Sequence, residues 1–239
     1  MEKYVEISSV TSGRDTLLRL VQYGARVAWY YMKQNHIDKP KTIDSIIRLE
    51  KEFSHARKVL RLGQFIENFN ALLKLWPQTL SDSPFYWAQF HIRLARILYI
   101  LSDNALWMVE TKLAGSYKDR WLWRKRSSYF YAGVLALTLL RDLYLLRLLF
   151  RRQERRQKVA FSDHVIDPEG RVSSSFTSAE KRELLSLLLN ISRSALDIWG
   201  PLVTLGHVSF SEGQTGLLGL GSTFIILLTL IWPKLKLRV

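Results

Sequence analysis

Residues 213 to 232, GQTGLLGLGSTFIILLTLIW, run for twenty positions without one charged side chain. A helix of that length rises roughly 30 Å, enough to cross the hydrocarbon core of a bilayer. Trp232 closes the stretch at the interface, and Lys234, Lys236 and Arg238 follow it; this flank pattern suits a membrane boundary. Gly216, Gly219 and Gly221 give the segment a small-residue face against which another helix can pack closely. A buried helix of a soluble bundle is the competing reading, and the length, lack of charge and flanks favour the span.

A second apolar run, Ser127 to Leu140, has 14 uncharged residues before Arg141 and Asp142 interrupt it and Leu143 to Leu146 continue. Fourteen positions fall short of a span, so interfacial or re-entrant placement competes with a crossing that extends through Leu146. In a crossing, Arg141 and Asp142 would pair or face protein.

Helical periodicity covers most of the remainder. Ser12 and Asp15 resemble a capping box that opens a first helix running to about Lys33. Leu17, Val21, Gly24, Ala28 and Tyr31 form its apolar stripe, opposite Arg19, Gln22, Arg26 and Lys33, which read as a solvated face. Asn35 to Lys41, with one proline, interrupts the pattern. A second helix follows and ends before Pro77. SDSP at 81–84 marks a turn, and a third helix runs from about Phe85 to Trp107 or beyond. RRQERRQK at 151–158 is a solvated charge run, and Phe161 to Phe176 reads as a flexible loop. Thr177 and Glu180 form another capping-box candidate, for a helix from Ala179 to about Trp199 that Gly200-Pro201 ends.

The second helix has the most distinctive pattern. In IIRLEKEFSHARKVLRLGQFIENF, residues 46 to 69, Ile46, Leu49, Phe53, Ala56, Leu60 and Gly63 recur at steps of three or four. Val59, Leu62, Ile66 and Phe69 add a neighbouring apolar row. Lys51, Arg57, Lys58 and Arg61 lie on the other side. Such a helix can lie in an anionic membrane surface. Amphipathic helices also pack against cores, and pattern alone favours that second use.

Composition narrows the chemistry. The net charge is +14 and there are eight tryptophans. Between Lys112 and Lys158, 13 Lys and Arg face only Asp119, Asp142 and Glu154, so the excess brackets an apolar segment. With Trp121, Trp123, Tyr129 and Tyr131 nearby, this suits interface anchoring better than nucleic-acid binding. The absence of cysteine excludes disulfides, thiol catalysis and thiolate metal sites. The five histidines lack metal-ligand spacing, and no phosphate loop, nucleophile elbow or zincin motif is present. No catalytic, cofactor or metal site is therefore expected. MEKYVEISSV lacks the layout of a secretory signal, and KLKLRV is not a peroxisomal matrix address of the Ser-Lys-Leu type.

Several blocks together resemble one family. They are GRDTLLRLVQYGARV at 13–27, FSHARKVLRLGQF at 53–65, SRSALDIW at 192–199 and TGLLGLGSTFI at 215–225. Asp103, Asn104 and Trp107 also fall where that family has an Asp and a Trp in order. The chain is similar to the eleventh-peroxin family, peroxisomal membrane proteins that elongate and proliferate peroxisomes. The resemblance spans most of the chain, and only residues 151 to 176 show no specific match.

The resemblance implies an all-α membrane protein with amphipathic N-terminal helices and one or two hydrophobic membrane segments. The expected organisation is an amphipathic region at 1–126, a candidate membrane segment at 127–150, a basic flexible loop at 151–178, and a C-terminal helix and span at 179–239. It implies a wedge at about 46–75 in the cytosolic leaflet, with Lys51, Phe53, Arg57, Lys58, Leu60, Arg61, Leu62, Ile66 and Phe69 as the membrane-binding set. Anionic lipids, a homo-oligomer and organelle-fission machinery including a dynamin-like GTPase are the implied partners, with no nucleic acid. Both termini would then be cytosolic, requiring an even number of spans. A channel of the peroxisomal membrane is the alternative function, with Arg141 and Asp142 as the residues to watch.

Overall fold

A computed structural model describes residues 10–36, 39–79, 84–162, 176–232 and 235. Its helices are α1 (Thr11–Gln34), α2 (Pro40–Leu60), α3 (Gln64–Thr79), α4 (Pro84–Glu110), α5 (Arg120–Ser162), α6 (Ser178–Asp197), α7 (Trp199–Leu205) and α8 (Glu212–Ile231), with a 3₁₀ turn at Tyr117–Asp119. No strand occurs among the described residues. The expected all-α class is the observed one.

Local chemistry explains most boundaries. Pro40 and Pro84 sit at the first positions of α2 and α4, where a missing N–H costs nothing. At the start of α6, Thr177 Oγ1 accepts from the Glu180 N–H at 3.4 Å, and the Thr177 N–H donates to Glu180 Oε2 at 3.0 Å. The capping box read from the sequence is therefore present. A second one, unread in the sequence, opens α8. There the Ser211 N–H donates to Gln214 Oε1 at 2.9 Å, and Ser211 Oγ accepts from the Gln214 N–H at 3.2 Å.

Other expectations need correction. α1 begins at Thr11 with Val10 as an uncapped N-terminus, so Ser12 and Asp15 form no capping box. Asp15 is drawn away by Arg57, whose Nε lies 2.9 Å from its carboxylate. The helix read as continuous over 46–69 divides at Arg61–Gly63. Three N–H groups, of Arg61, Leu62 and Gln64, donate to carbonyls three residues back at 3.0–3.1 Å. That tight turn lies where Gly63 lowers helix propensity. α3 then runs past Pro77 to Thr79. Gly200-Pro201 does not stop the chain from helical folding: after a break at Ile198, Pro201 sits in the first turn of α7, where proline is tolerated. α7 ends at Gly206, left-handed at φ 83°. The 127–150 segment belongs to the single 43-residue helix α5, about 64 Å long at helical rise. It is therefore one uninterrupted rod with no re-entrant turn. Of the basic flexible loop expected at 151–178, residues 151–162 are instead helical and continue α5, and residues 163–175 lie outside the described residues.

Packing closes a ring. α1 contacts α2, α2 contacts α4, α4 contacts α5, α5 contacts α6, α6 contacts α8, and α8 returns to α1. α3 lies against α4, and α7 plugs in against α5. The interior of the ring is unusually polar. Arg19, Lys58, Asp103, Asp142 and Asp197 are buried, together with Ser194, Ser222 and Thr223. Apolar side chains such as Ile97, Ile100, Val134, Leu149 and Leu187 are buried with them, while other large apolar side chains point out, among them Leu94, Leu98, Leu101 and Met108 along one face of α4 and Leu140, Leu143 and Tyr144 on α5.

This arrangement inverts the expectation for α1. Arg19 and Gln22 are buried while Val21 and Tyr31 are exposed. Periodicity identifies two faces and leaves open which one meets the surroundings. Apolar faces turn outward when the surroundings are lipid, because lipid tails are as apolar as leucine and give no reason to hide them. α8 shows the same behaviour. It is the one described helix long and apolar enough to cross a membrane, and only 28% of its most apolar window is buried. A core helix of a soluble bundle would be mostly covered.

Candidate functional site

The ring encloses a cavity of about 420 Å³ lined from every helix that forms it. α1 contributes Asp15, Arg19 and Tyr23, α2 Arg57 and Lys58, α4 Arg96, Tyr99 and Asp103, α5 Tyr131 and Thr138, α6 Arg193 and Asp197, and α8 Ile226. Burying charges in a bundle is tolerable only when each finds a partner, and most here do. Arg19 Nη2 binds Asp197 and also donates to Ser222 Oγ at 2.6 Å, tying α1 to α6 and α8. Arg26 lies 2.6 Å from Glu50, whose other oxygen accepts from the Trp29 indole at 2.6 Å.

The cations of the FSHARKVLR block face this interior. Arg57 pairs with Asp15 and donates to Gln22 Oε1 at 2.7 Å. Lys58 lies 2.5 Å from Glu110, which also holds Arg124 at 2.9 Å. Arg61 lies 3.1 Å from Asp103 and donates to the Tyr99 hydroxyl. Burial alone would raise the Glu110 carboxyl, but hydrogen bonds and charge from Lys58 and Arg124 outweigh it and hold it below the ordinary carboxylate value.

The expected membrane-binding residues therefore separate into groups. Arg57, Lys58 and Arg61 join α2 to α1 and α4. Lys51 is exposed, and Phe53, Leu60 and Leu62 are half-covered. Ile66 and Phe69, on α3, are 70% and 45% exposed, and the same face continues into Leu73 at 57% and Trp76 at 59%. Sequence reasoning missed Leu73 and Trp76, although their spacing from Phe69, four and then three residues, was the available signal.

The glycines of α8 face α1 and α6. A Cβ at Gly219 would lie 2.4 Å from the Tyr23 ring, and one at Gly216 2.8 Å from Val27. At Gly221 the distance to Leu196 is 3.4 Å, ordinary contact. Gly213, absent from the sequence-derived set, is as close to Tyr30 as Gly219 is to Tyr23. Arg141 and Asp142 pair at 2.6 Å, and Asp142 also accepts from Asn190 of α6. They fasten α5 to α6 and do not line the cavity. Among the described residues no group of His, Asp or Glu is arranged to hold a metal.

A ring of helices with mostly paired charges inside, apolar faces outside and one described helix long and apolar enough to cross a membrane fits an all-α membrane protein. The model of the family described as peroxisomal biogenesis factor 11 (PEX11) matches residues 1–231. The chain is 29% identical to human peroxisomal membrane protein 11A over 250 residues, covering 100% of this chain and 99% of that protein. It is 30% identical to Bos taurus peroxisomal membrane protein 11B over 261 residues, covering both chains fully. The Dictyostelium discoideum peroxisomal membrane protein 11 homolog shares 23% over 262 residues, with 98% of this chain and 95% of that protein covered. No solved structure matches. The chain belongs to the peroxisomal biogenesis factor 11 family, the family its sequence resembles, and is a protein of the peroxisomal membrane.

Proposed function

We propose that this protein promotes elongation, proliferation and fission of peroxisomes by setting an amphipathic helix into the cytosolic leaflet. The observation that carries the proposal is the outward apolar face of α3, formed by Ile66, Phe69, Leu73 and Trp76. Positions i, i+3, i+7 and i+10 fall within about 80° of one another on a helix at ~100° per residue. Covering the exposed half of each side chain is worth about 1 kcal/mol, so roughly 4 kcal/mol for the face. Area added to one leaflet alone bends the bilayer away from the other. Lys51, outward on α2, supplies attraction to anionic headgroups, worth ~1 kcal/mol near the surface. Arg57, Lys58 and Arg61 serve the wedge by fixing α2, and hence the start of α3, against the ring. The role is non-enzymatic. Self-association and contact with organelle-fission machinery, including a dynamin-like GTPase, belong to the proposal through the family resemblance.

The test is tubulation of anionic liposomes by the reconstituted full chain. Replacing Ile66, Phe69, Leu73 and Trp76 together by Ser is expected to reduce tubulation severalfold with helicity unchanged; undiminished tubulation overturns the proposal. A channel remains the second reading because the ring encloses a polar cavity, and planar-bilayer recording of the same reconstituted protein separates the two.

A further inference from the structure

Partner by partner, the cavity wall has a remainder. Seven cations line it, Arg19, Arg26, Arg57, Lys58, Arg61, Arg96 and Arg193. Five are matched: Arg19 with Asp197, Arg26 with Glu50, Arg57 with Asp15, Lys58 with Glu110, and Arg61 with Asp103. Arg96 of α4 and Arg193 of α6 pair with no carboxylate among the described residues. Arg193 and Arg93 are cationic neighbours of Arg96, and Arg193 lines the cavity with it. Two like charges thus face one half-open cavity, Arg96 exposed and Arg193 half-buried, whose other lining cations are each matched. Two buried polar atoms of residues on the same wall have no hydrogen-bond partner among the described residues, Arg19 Nε and Asp103 Oδ2, the latter held only by its charge contact with Arg61.

Chemistry selects the missing counter-charge. An isolated carboxylate would balance only one guanidinium. A phosphomonoester carries close to two negative charges at neutral pH and offers three acceptor oxygens, and guanidinium forks match phosphate geometry. The Tyr99 hydroxyl, which accepts from Arg61, lines the same cavity as these arginines. Arg96 is exposed and Arg193 half-buried, so a ligand has access. The cavity, at about 420 Å³, holds far more than one phosphate and falls within the ~300–1,000 Å³ of small-molecule sites.

We propose that Arg96 and Arg193 form a phosphate-binding site inside the helical ring, filled by the phosphate of a soluble phosphomonoester or of an anionic lipid headgroup. The site is separate from the α3 wedge, and its failure would leave the membrane-bending proposal standing.

The experiment uses the full chain in phosphatidylcholine nanodiscs at fixed ionic strength, with thermal unfolding and equilibrium binding as readouts. One arm adds glycerol 3-phosphate, and the other replaces a tenth of the lipid by phosphatidic acid. Saturation by glycerol 3-phosphate with a raised unfolding midpoint identifies a soluble ester; a response to phosphatidic acid alone identifies a headgroup. In either case Arg96→Gln and Arg193→Gln are each expected to weaken binding at least tenfold, while Arg152→Gln, on the exposed part of α5, leaves it unchanged. Without ligand, Arg96→Gln is expected to raise the unfolding midpoint because it removes repulsion, so a lost response cannot be ascribed to misfolding. The proposal fails if neither probe acts on the wild type, if both arginine variants bind like it, or if Arg96→Gln lowers the ligand-free midpoint.

Discussion

Replacing Arg19 by Met tests whether the inward charges hold the ring together. The side chains of Arg19 and Asp197 are 10% and 6% exposed, and the pair links α1 to α6. Arg19 also donates to Ser222 of α8, so one guanidinium joins three helices. At an effective dielectric of about 20, unit charges ~4 Å apart attract by about 4 kcal/mol. Removing one partner also leaves the other charge buried alone, and such losses run to ~3–5 kcal/mol. Met keeps the length of the arginine stem, so the packing loss is small. The second single variant is Asp197→Leu, which strands Arg19, and the double variant removes both charges. Each single change is expected to cost ~3–5 kcal/mol, and the pair together far less than their sum, because nothing charged is left unpartnered. The assay is SDS-titrated unfolding in mixed micelles, followed by circular dichroism and tryptophan fluorescence. A double variant destabilised by the full sum, or an Arg19→Met cost below ~1 kcal/mol, would refute the pairing argument.

Two further outcomes follow from the same packing. Gly219→Leu is expected to destabilise by at least ~1–3 kcal/mol, since even its Cβ would lie within 2.6 Å of three Tyr23 ring atoms; the same unfolding titration measures it, with partial recovery expected in Gly219→Leu combined with Tyr23→Ala. Glu110, at the end of α4, has its folded value depressed from 4.5, so its contribution is present above pH ~4.5 and is lost as pH falls through the lower folded value. Melting midpoints between pH 6 and 3 are expected to drop in the wild type and to flatten over that range in Glu110→Gln.

Element positions were legible in the sequence where local chemistry decides them. Thr177 and Glu180 mark the start of α6 because both halves of that cap lie within four residues. The uncharged run from Gly213 to Trp232 likewise anticipates α8 to within a residue or two. Helix faces were not legible in the same way. Arg19 and Arg26 read as a solvated row because periodicity gives a stripe its angle and no information about its surroundings. Their carboxylate partners, Asp197 and Glu50, lie 178 and 24 residues away in the chain. A single sequence does not encode such pairings in its spacing. Arg57, Lys58 and Arg61 illustrate the same limit, since the motif is visible whichever way its charges point.

The inversion also bears on how a wedge can work in this chain. A peripheral amphipathic helix holds to lipid through headgroup attraction and buried apolar area together. Here the strongest cations of the motif are engaged with Asp15, Asp103 and Glu110, so headgroups would have to compete with ion pairs already formed. Releasing three such pairs would cost more than the ~1 kcal/mol that each exposed cation gains at an anionic surface. The division of labour with least conflict keeps α2 as a strut locked to α1 and α4 and leaves insertion to α3 beyond the Arg61–Gly63 turn. On the proposed reading, the motif's charge would govern where the wedge is held, and its apolar continuation from Ile66 to Trp76 would govern how far it enters.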